Sequence, residues 1–150
     1  MDHTRKVLIV GDGGVGKSAL VRSLKGKPVV RQYTPTMGVE IHSLQQGAAI
    51  CRLWDTAGQE KLSGLRDACY IDADAVIFVY DGTHSSTFRN LPFWIKDVQR
   101  VTGEIPHLVV RNKTDTQPQK PYSLTGEVPI SARTGEGMSD VRSWLSVYLQ

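Results

Sequence analysis

Cysteine is scarce: Cys51 and Cys69 are the only two in 150 residues. They have no metal-ligand spacing and no histidine partners, so neither a disulfide framework nor a zinc site is expected to hold the fold, and both should be reduced structural thiols. No apolar run approaches the length of a membrane span, no segment repeats at a fixed period, and no low-complexity tract interrupts the chain. Lysine and arginine are not clustered either. The formal charge of +3 is spread along the chain, which suits an anionic ligand weakly and gives no reason to expect nucleic-acid binding. The start, Met1-Asp2-His3-Thr4-Arg5, has neither a signal-peptide apolar region nor the Met-Gly of a myristoylation site, so a cytoplasmic or nuclear location is expected. What remains is one soluble domain spanning residues 1–150, long enough to bury about two-thirds of the surface its unfolded chain exposes.

Apolar runs and helical periodicity alternate along this chain. Val7-Leu8-Ile9-Val10 reads as a buried strand, followed by a glycine cluster and then by Ser18 to Leu24 with helical spacing. Val39 to Leu44 and Ala48 to Trp54 flank Gln45-Gln46-Gly47, the pattern of an antiparallel hairpin, with an extended loop between the helix and that hairpin. Ala75 to Tyr80 and His107 to Val110 are further buried strands, separated by a helix carrying Phe88, Leu91, Ile95, Val98 and Val101 on one face. Met138, Val141, Leu145, Tyr148 and Leu149 form the apolar stripe of a final amphipathic helix, with Trp144 packed beside it. Strands alternating with helices predict an α/β fold around a mostly parallel sheet.

Gly11-Asp12-Gly13-Gly14-Val15-Gly16-Lys17-Ser18 fits the phosphate-loop pattern of Gly, any four residues, Gly, Lys, then Ser or Thr, and it lies between a strand and a helix, as that motif requires. Glycines let backbone N–H groups converge on phosphate oxygens, and the helix N-terminus adds positive potential. Asp12, Gly13, Gly14, Val15, Gly16, Lys17, Ser18 and Ala19 are therefore the expected phosphate contacts, with Lys17 on the outer phosphates and Ser18 on Mg²⁺. This loop alone allows ATP or GTP, and a kinase or a switch.

Asn112-Lys113-Thr114-Asp115 follows a strand and so falls on the carboxyl edge of the sheet, where a ligand held by the first loop would also lie. Here the chain resembles the Ras-like small GTPases, whose N-K-x-D motif reads guanine. The resemblance implies that Asp115 accepts hydrogen bonds from guanine N1 and its exocyclic amino group, that the Lys113 stem packs over the base, and that Asn112 belongs to the same site. A buried acceptor left unpaired by the wrong base can enforce selectivity of roughly ten-thousandfold or more. Ser131-Ala132-Arg133 resembles the family's S-A-K loop, placing the Ala132 N–H near guanine O6, with Arg133 in place of lysine.

The same resemblance supplies a hydrolytic half. Asp55-Thr56-Ala57-Gly58-Gln59-Glu60 is similar to the D-x-x-G-Q element: Asp55 would hold Mg²⁺ through water, Gly58 would bond the γ-phosphate, and Gln59 would orient the attacking water. Thr36 corresponds to the switch threonine that ligates Mg²⁺ with GTP bound, Thr34 being the nearby alternative, and Tyr33 would lid the γ-phosphate. The catalytic set is thus Gln59, Lys17, Thr36 and Tyr33, and the metal set Ser18, Thr36 and Asp55. Loss of the γ-phosphate would release Thr36 and Gly58, which is how the family switches. Pro35, not arginine, precedes Thr36, so slow unassisted turnover, a GTPase-activating protein, an exchange factor and effectors are implied.

The implied architecture is the P-loop NTPase small G-domain: a mostly parallel six-stranded sheet with one antiparallel edge strand and helices on both faces. Local runs, Gly38-Val39-Glu40-Ile41-His42, Gly58-Gln59-Glu60-Lys61, Gly64-Leu65-Arg66-Asp67 and Ile105-Pro106, place the resemblance nearest the Ran branch, the nuclear-transport GTPases, and imply Ran-type transport receptors as partners. Four features depart from that branch. The chain stops at Gln150 without an acidic tail, Leu62 replaces an aromatic, Val29 falls where an aromatic stacks on guanine, and the span from Asp115 to Ser131, broken by Pro118, Pro121 and Pro129, is too short for the usual helix between the fifth and sixth strands. Looser nucleotide binding and a loop in place of that helix are expected. The last cysteine is Cys69, so no C-terminal lipid anchor is expected, and a monomer is the default. Besides a hydrolysing switch, two readings stay open: a module that binds nucleotide and sequesters Ran-type partners with little turnover, and an interaction protein that no longer binds nucleotide.

Overall fold

The computed structural model describes residues 4–24, 30–34, 39–46, 49–56, 63–116 and 124–148. Two continuous apolar runs form the centre of its sheet. β1 (Arg5–Val10) and β5 (Ala75–Asp81) pair in parallel, and Val7 to Val10 and Ala75 to Tyr80 are all at most 1% exposed. A strand buried on both faces cannot alternate apolar with polar residues, which is why these runs are unbroken.

Outward from β1 lie β4 (Ala49–Asp55), parallel to it, then the antiparallel β3 (Val39–Gln46). On the other side β6 (His107–Asn112) and the two-residue β7 (Val128–Pro129) continue in parallel from β5. The hairpin read from the sequence is therefore present, its register running from Gln46 against Ala49 to Glu40 against Asp55.

The mostly parallel sheet is as expected, with a seventh strand added. Val30–Thr34, read from sequence as extended loop, is β2, antiparallel to β3, so the order is β2-β3-β4-β1-β5-β6-β7 and β3 lies one place in from the edge. The segment lacks a clean apolar alternation, and its pairing comes from the free edge that β3 offers.

Helices cover both faces. Val7, Ile9, Ile77, Val79 and Val110 point toward α1 (Lys17–Ser23) and α5 (Met138–Tyr148), where Leu20, Val21, Val141 and Leu145 are buried against them. The alternate residues, Leu8, Val10, Val76, Phe78 and Tyr80, face α2 (Ser63–Tyr70) and α4 (Leu91–Thr102), which contribute Cys69, Tyr70, Trp94 and Val98. Each such aliphatic side chain contributes about 1.5–3 kcal/mol by leaving water. Neither cysteine is in a disulfide and both are buried, Cys51 within the first cluster and Cys69 within the second.

The single helix expected to carry Phe88 to Val101 is two: a short α3 (Ser85–Arg89) gives way at Asn90 to α4. Pro92 in the first turn of α4 has no N–H to continue the ladder, and a helix tolerates proline at that position and not further in. In α5 the stripe holds at Met138, Val141 and Leu145, with Trp144 packed beside it, but Tyr148 is 53% exposed and Leu149 lies outside the described residues. Among the described residues no helix lies between β6 and β7, while residues 117–123 of that span lie outside them. No described helix is long and apolar enough to cross a membrane.

Candidate functional site

Six of the seven strands, all but β3, run in one direction, so the residues that directly follow β1, β4, β5, β6 and β7 emerge on one edge. That topology, not proximity in sequence, gathers the motifs.

The loop after β1 turns into α1 through Gly16, whose φ of 100° is left-handed and whose absent Cβ leaves room for the Asn112 side-chain nitrogen. Only glycine satisfies both conditions. Lys17, 3% exposed, curls back so that Nζ donates to the carbonyls of Gly11 at 2.6 Å and Asp12 at 2.8 Å. Asp12 itself faces away from the loop: its carboxylate accepts Asn90 Nδ2 and Trp94 Nε1, each at 2.7 Å, and ties the loop to α4.

Ser18 and Asp55, distant in sequence, meet because Asp55 ends β4 beside Ile9 of β1; Ser18 Oγ donates to Asp55 Oδ2 at 2.6 Å. Thr56 Oγ1 donates to the Ile9 carbonyl at 2.6 Å and fixes the start of the next loop. A hydroxyl and a carboxylate side by side are hard oxygen donors of the kind Mg²⁺ takes, so the residues present fit that ion. Glu40 and His42 of β3 bring two more donor groups within 4.8 Å of Asp55. Their closeness is accounted for by the cross-strand pairing of Glu40 with Asp55 and the 3.3 Å contact of Glu40 with His42.

Asn112 joins the loops. Its Nδ2 donates to the Val15 carbonyl at 2.9 Å and its Oδ1 accepts the Ala132 N–H at 3.0 Å, so one buried side chain sets the spacing of the three sequence motifs. Lys113 crosses back over the first loop and donates to the Gly14 carbonyl at 3.0 Å. Asp115 accepts Ser131 Oγ at 2.9 Å and Arg133 Nε at 3.0 Å; the Ser131 bond leads, and Arg133 adds to it, in holding this carboxyl below 3.8. Between these groups is an open cavity of about 440 Å³, lined by Gly16, Ala19, Asn112, Lys113, Asp115, Thr116, Ala132 and Arg133. Its size suits a purine base.

The structure thus brings together the first loop, Asp55, and both downstream loops. Thr36, Gly58 and Gln59 lie outside the described residues, and of Tyr33 only the backbone, paired with Glu40, is described. Besides Asn90 and Trp94, which hold Asp12, two residues at this edge escaped the sequence reading. Asp81, 3% exposed, contacts Lys113 Nζ at 2.9 Å; the available signal was a carboxylate closing an otherwise apolar strand at the ligand edge. Glu127 accepts Tyr80 Oη at 2.6 Å and Arg111 Nε at 2.7 Å, securing the short span that leads to Ser131, and nothing in the local pattern marked it.

Compared with known protein families, residues 6–142 match the Ras family. That match runs from β1 into α5 and includes every loop just described, so the chain belongs to the Ras family, the small GTPases that switch on guanine nucleotide.

Proposed function

We propose that this protein binds GTP and GDP in the cavity at the carboxyl edge of the sheet, hydrolyses GTP slowly, and acts as a Ran-like switch. The observation that carries the reading is Asn112, whose two hydrogen bonds hold the phosphate-loop carbonyl of Val15 and the Ala132 N–H in one fixed frame around the cavity. In this frame the base lies beside Asp115 and the Lys113 stem. The phosphates lie over the N–H groups that begin α1, where Lys17 leaves the carbonyls it now caps to meet them. Arg133, 82% exposed in its side chain, turns away from Asp115 as the guanine donors replace it.

Ser18 and Asp55 are the described residues that would hold Mg²⁺, with Thr36 as the third. Bound there, the ion neutralises phosphate charge. Gln59 orients the attacking water and Gly58 holds the γ-phosphate. The runs shared with the Ran branch support transport receptors as partners and a cytoplasmic and nuclear location. Val29 and Leu62 favour a second reading, a guanine-nucleotide module that sequesters such partners and turns over little.

Titration with fluorescent GDP and GTP in Mg²⁺, with ATP as competitor, tests the central claim. Guanine-selective saturable binding is expected, weakened about a hundredfold by Asp115→Ala through loss of charge-assisted hydrogen bonds to the base. Absence of guanine binding overturns it. Single-turnover hydrolysis with and without a Ran-type activating protein separates the two readings.

A further inference from the structure

Asp81 does not line the cavity, yet its carboxylate is buried directly behind a residue that does. We propose that Asp81 is a positioning residue for base recognition: it anchors Lys113 across the cavity and thereby sets how long a guanine nucleotide stays bound. The proposal rests on reading the cavity as a guanine site.

Parallel pairing puts Asp81 of β5 level with Asn112 of β6, one residue before Lys113. Its carboxylate is held from both sides. Oδ1 accepts the Thr83 N–H at 2.8 Å and Thr83 Oγ1 at 2.5 Å, which turns Oδ2 toward Lys113 Nζ at 2.9 Å. The backbone beneath is fixed as well, since the Asp81 N–H donates to Thr87 Oγ1 at 2.9 Å and Thr87 Oγ1 also bonds the His84 carbonyl. His84 Nδ1, on an exposed ring, faces the same Oδ2 at 3.1 Å. Lys113 is therefore held by a rigid acceptor, not a mobile one.

Lys113 needs such an anchor. Its φ of 71° lies in the left-handed region, where a side chain bearing Cβ stays only if its surroundings hold it. The lysine side chain is 38% exposed and has four flexible bonds, so water offers it many alternative rotamers. Two contacts at Nζ, Asp81 Oδ2 and the Gly14 carbonyl, select the one that lays the stem along the cavity wall. A ligand meeting a stem already in place loses less freedom on binding, and the gain appears as a slower dissociation rate.

Dissociation of fluorescent GDP from the full chain in Mg²⁺ tests this with Asp81→Asn, Lys113→Met and the double variant. Asp81→Asn keeps the shape and the Thr83 bonds but removes the charge, and is expected to release GDP about tenfold faster, the loss of one charge-assisted bond. Lys113→Met should do at least as much, and adding Asp81→Asn to it should change the rate less than twofold, because the anchor then has nothing to hold. Should Asp81→Asn fail to fold, Thr83→Val loosens the same carboxylate and is expected to speed release several-fold. An unchanged rate in Asp81→Asn overturns the proposal, as does a full tenfold effect in the Lys113→Met background, which would mark a structural role. If the unmodified chain binds no GDP, the guanine reading itself falls and takes this inference with it; if it binds and the variants are silent, only the inference falls.

Discussion

Asp81 and Asp97 are two buried carboxylates that solve the same electrostatic problem for different ends. Their side chains are 3% and 8% exposed, and burial alone would raise both above 3.8. Hydrogen bonds outweigh it: Thr83 and Lys113 lower Asp81, while Arg66, Tyr70 and Arg100 lower Asp97. The partners differ in kind. Lys113 is a half-exposed point charge on a flexible stem, whereas the Arg66 guanidinium on α2 is buried, 3.0 Å from Asp97 Oδ2, and stands against the rings of Phe93 and Trp94. Tyr70 Oη closes the cluster at 2.9 Å. A planar, weakly hydrated cation suits a permanent helix–helix joint, and a flexible ammonium suits the open wall of a cavity.

The largest expected effect tests the joint. Asp97→Ala removes the buried carboxylate that Arg66 and Tyr70 share and should cost about 3 kcal/mol, read as a lower urea midpoint, whereas Asp81→Asn should cost about 1 kcal/mol by the same measure. Equal losses would mean that the two carboxylates do not divide the work as described. Acid sharpens the comparison further. Both carboxyls have folded values below 3.8, so their contribution is complete above that pH and is lost as pH falls through the lower folded values. A urea midpoint followed from neutrality into acid should fall less steeply in Asp97→Asn than in the unmodified chain. The smallest effect belongs to Arg100→Ala. Arg100 reaches Asp67 and Asp97 from an exposed position, so its removal should leave the midpoint unchanged within error.

Much of this arrangement was legible in the residues. The unbroken apolar runs at Val7–Val10 and Ala75–Tyr80 announced central parallel strands, and the loops after β1 and β6 were placed at one edge from the strand pattern, while those after β4 and β7 came from the family resemblance. β2 was missed because its pairing depends on β3 beside it, a nonlocal cause. The break at Asn90 was signalled by Pro92 and was still read through, since the periodicity of Phe88 and Leu91 runs across it. The loops singled out by residue type do gather around one cavity, while the groups that hold them in place went unread. Asp81, Trp94 and Glu127 are polar or aromatic residues with no spacing rule, and their roles follow from which strands lie side by side. The inward-facing stripe was read too far at Tyr148, which is exposed and packs its ring against Trp144 instead of the core.

The two cysteines pack on opposite faces of the sheet, Cys51 of β4 within the cluster under α1 and α5, and Cys69, itself on α2, within the cluster that α2 and α4 close. Burial pushes the Cys51 thiol up to about 12, so the reactive thiolate is almost absent while the fold is closed. Both sulfurs are buried, so a thiol reagent reaches Cys51 only when α1 or α5 lifts from the sheet and Cys69 only when α2 itself does. With one cysteine replaced at a time, the chain becomes its own two-channel recorder of breathing motions, reporting the α1/α5 face and the α2/α4 face separately.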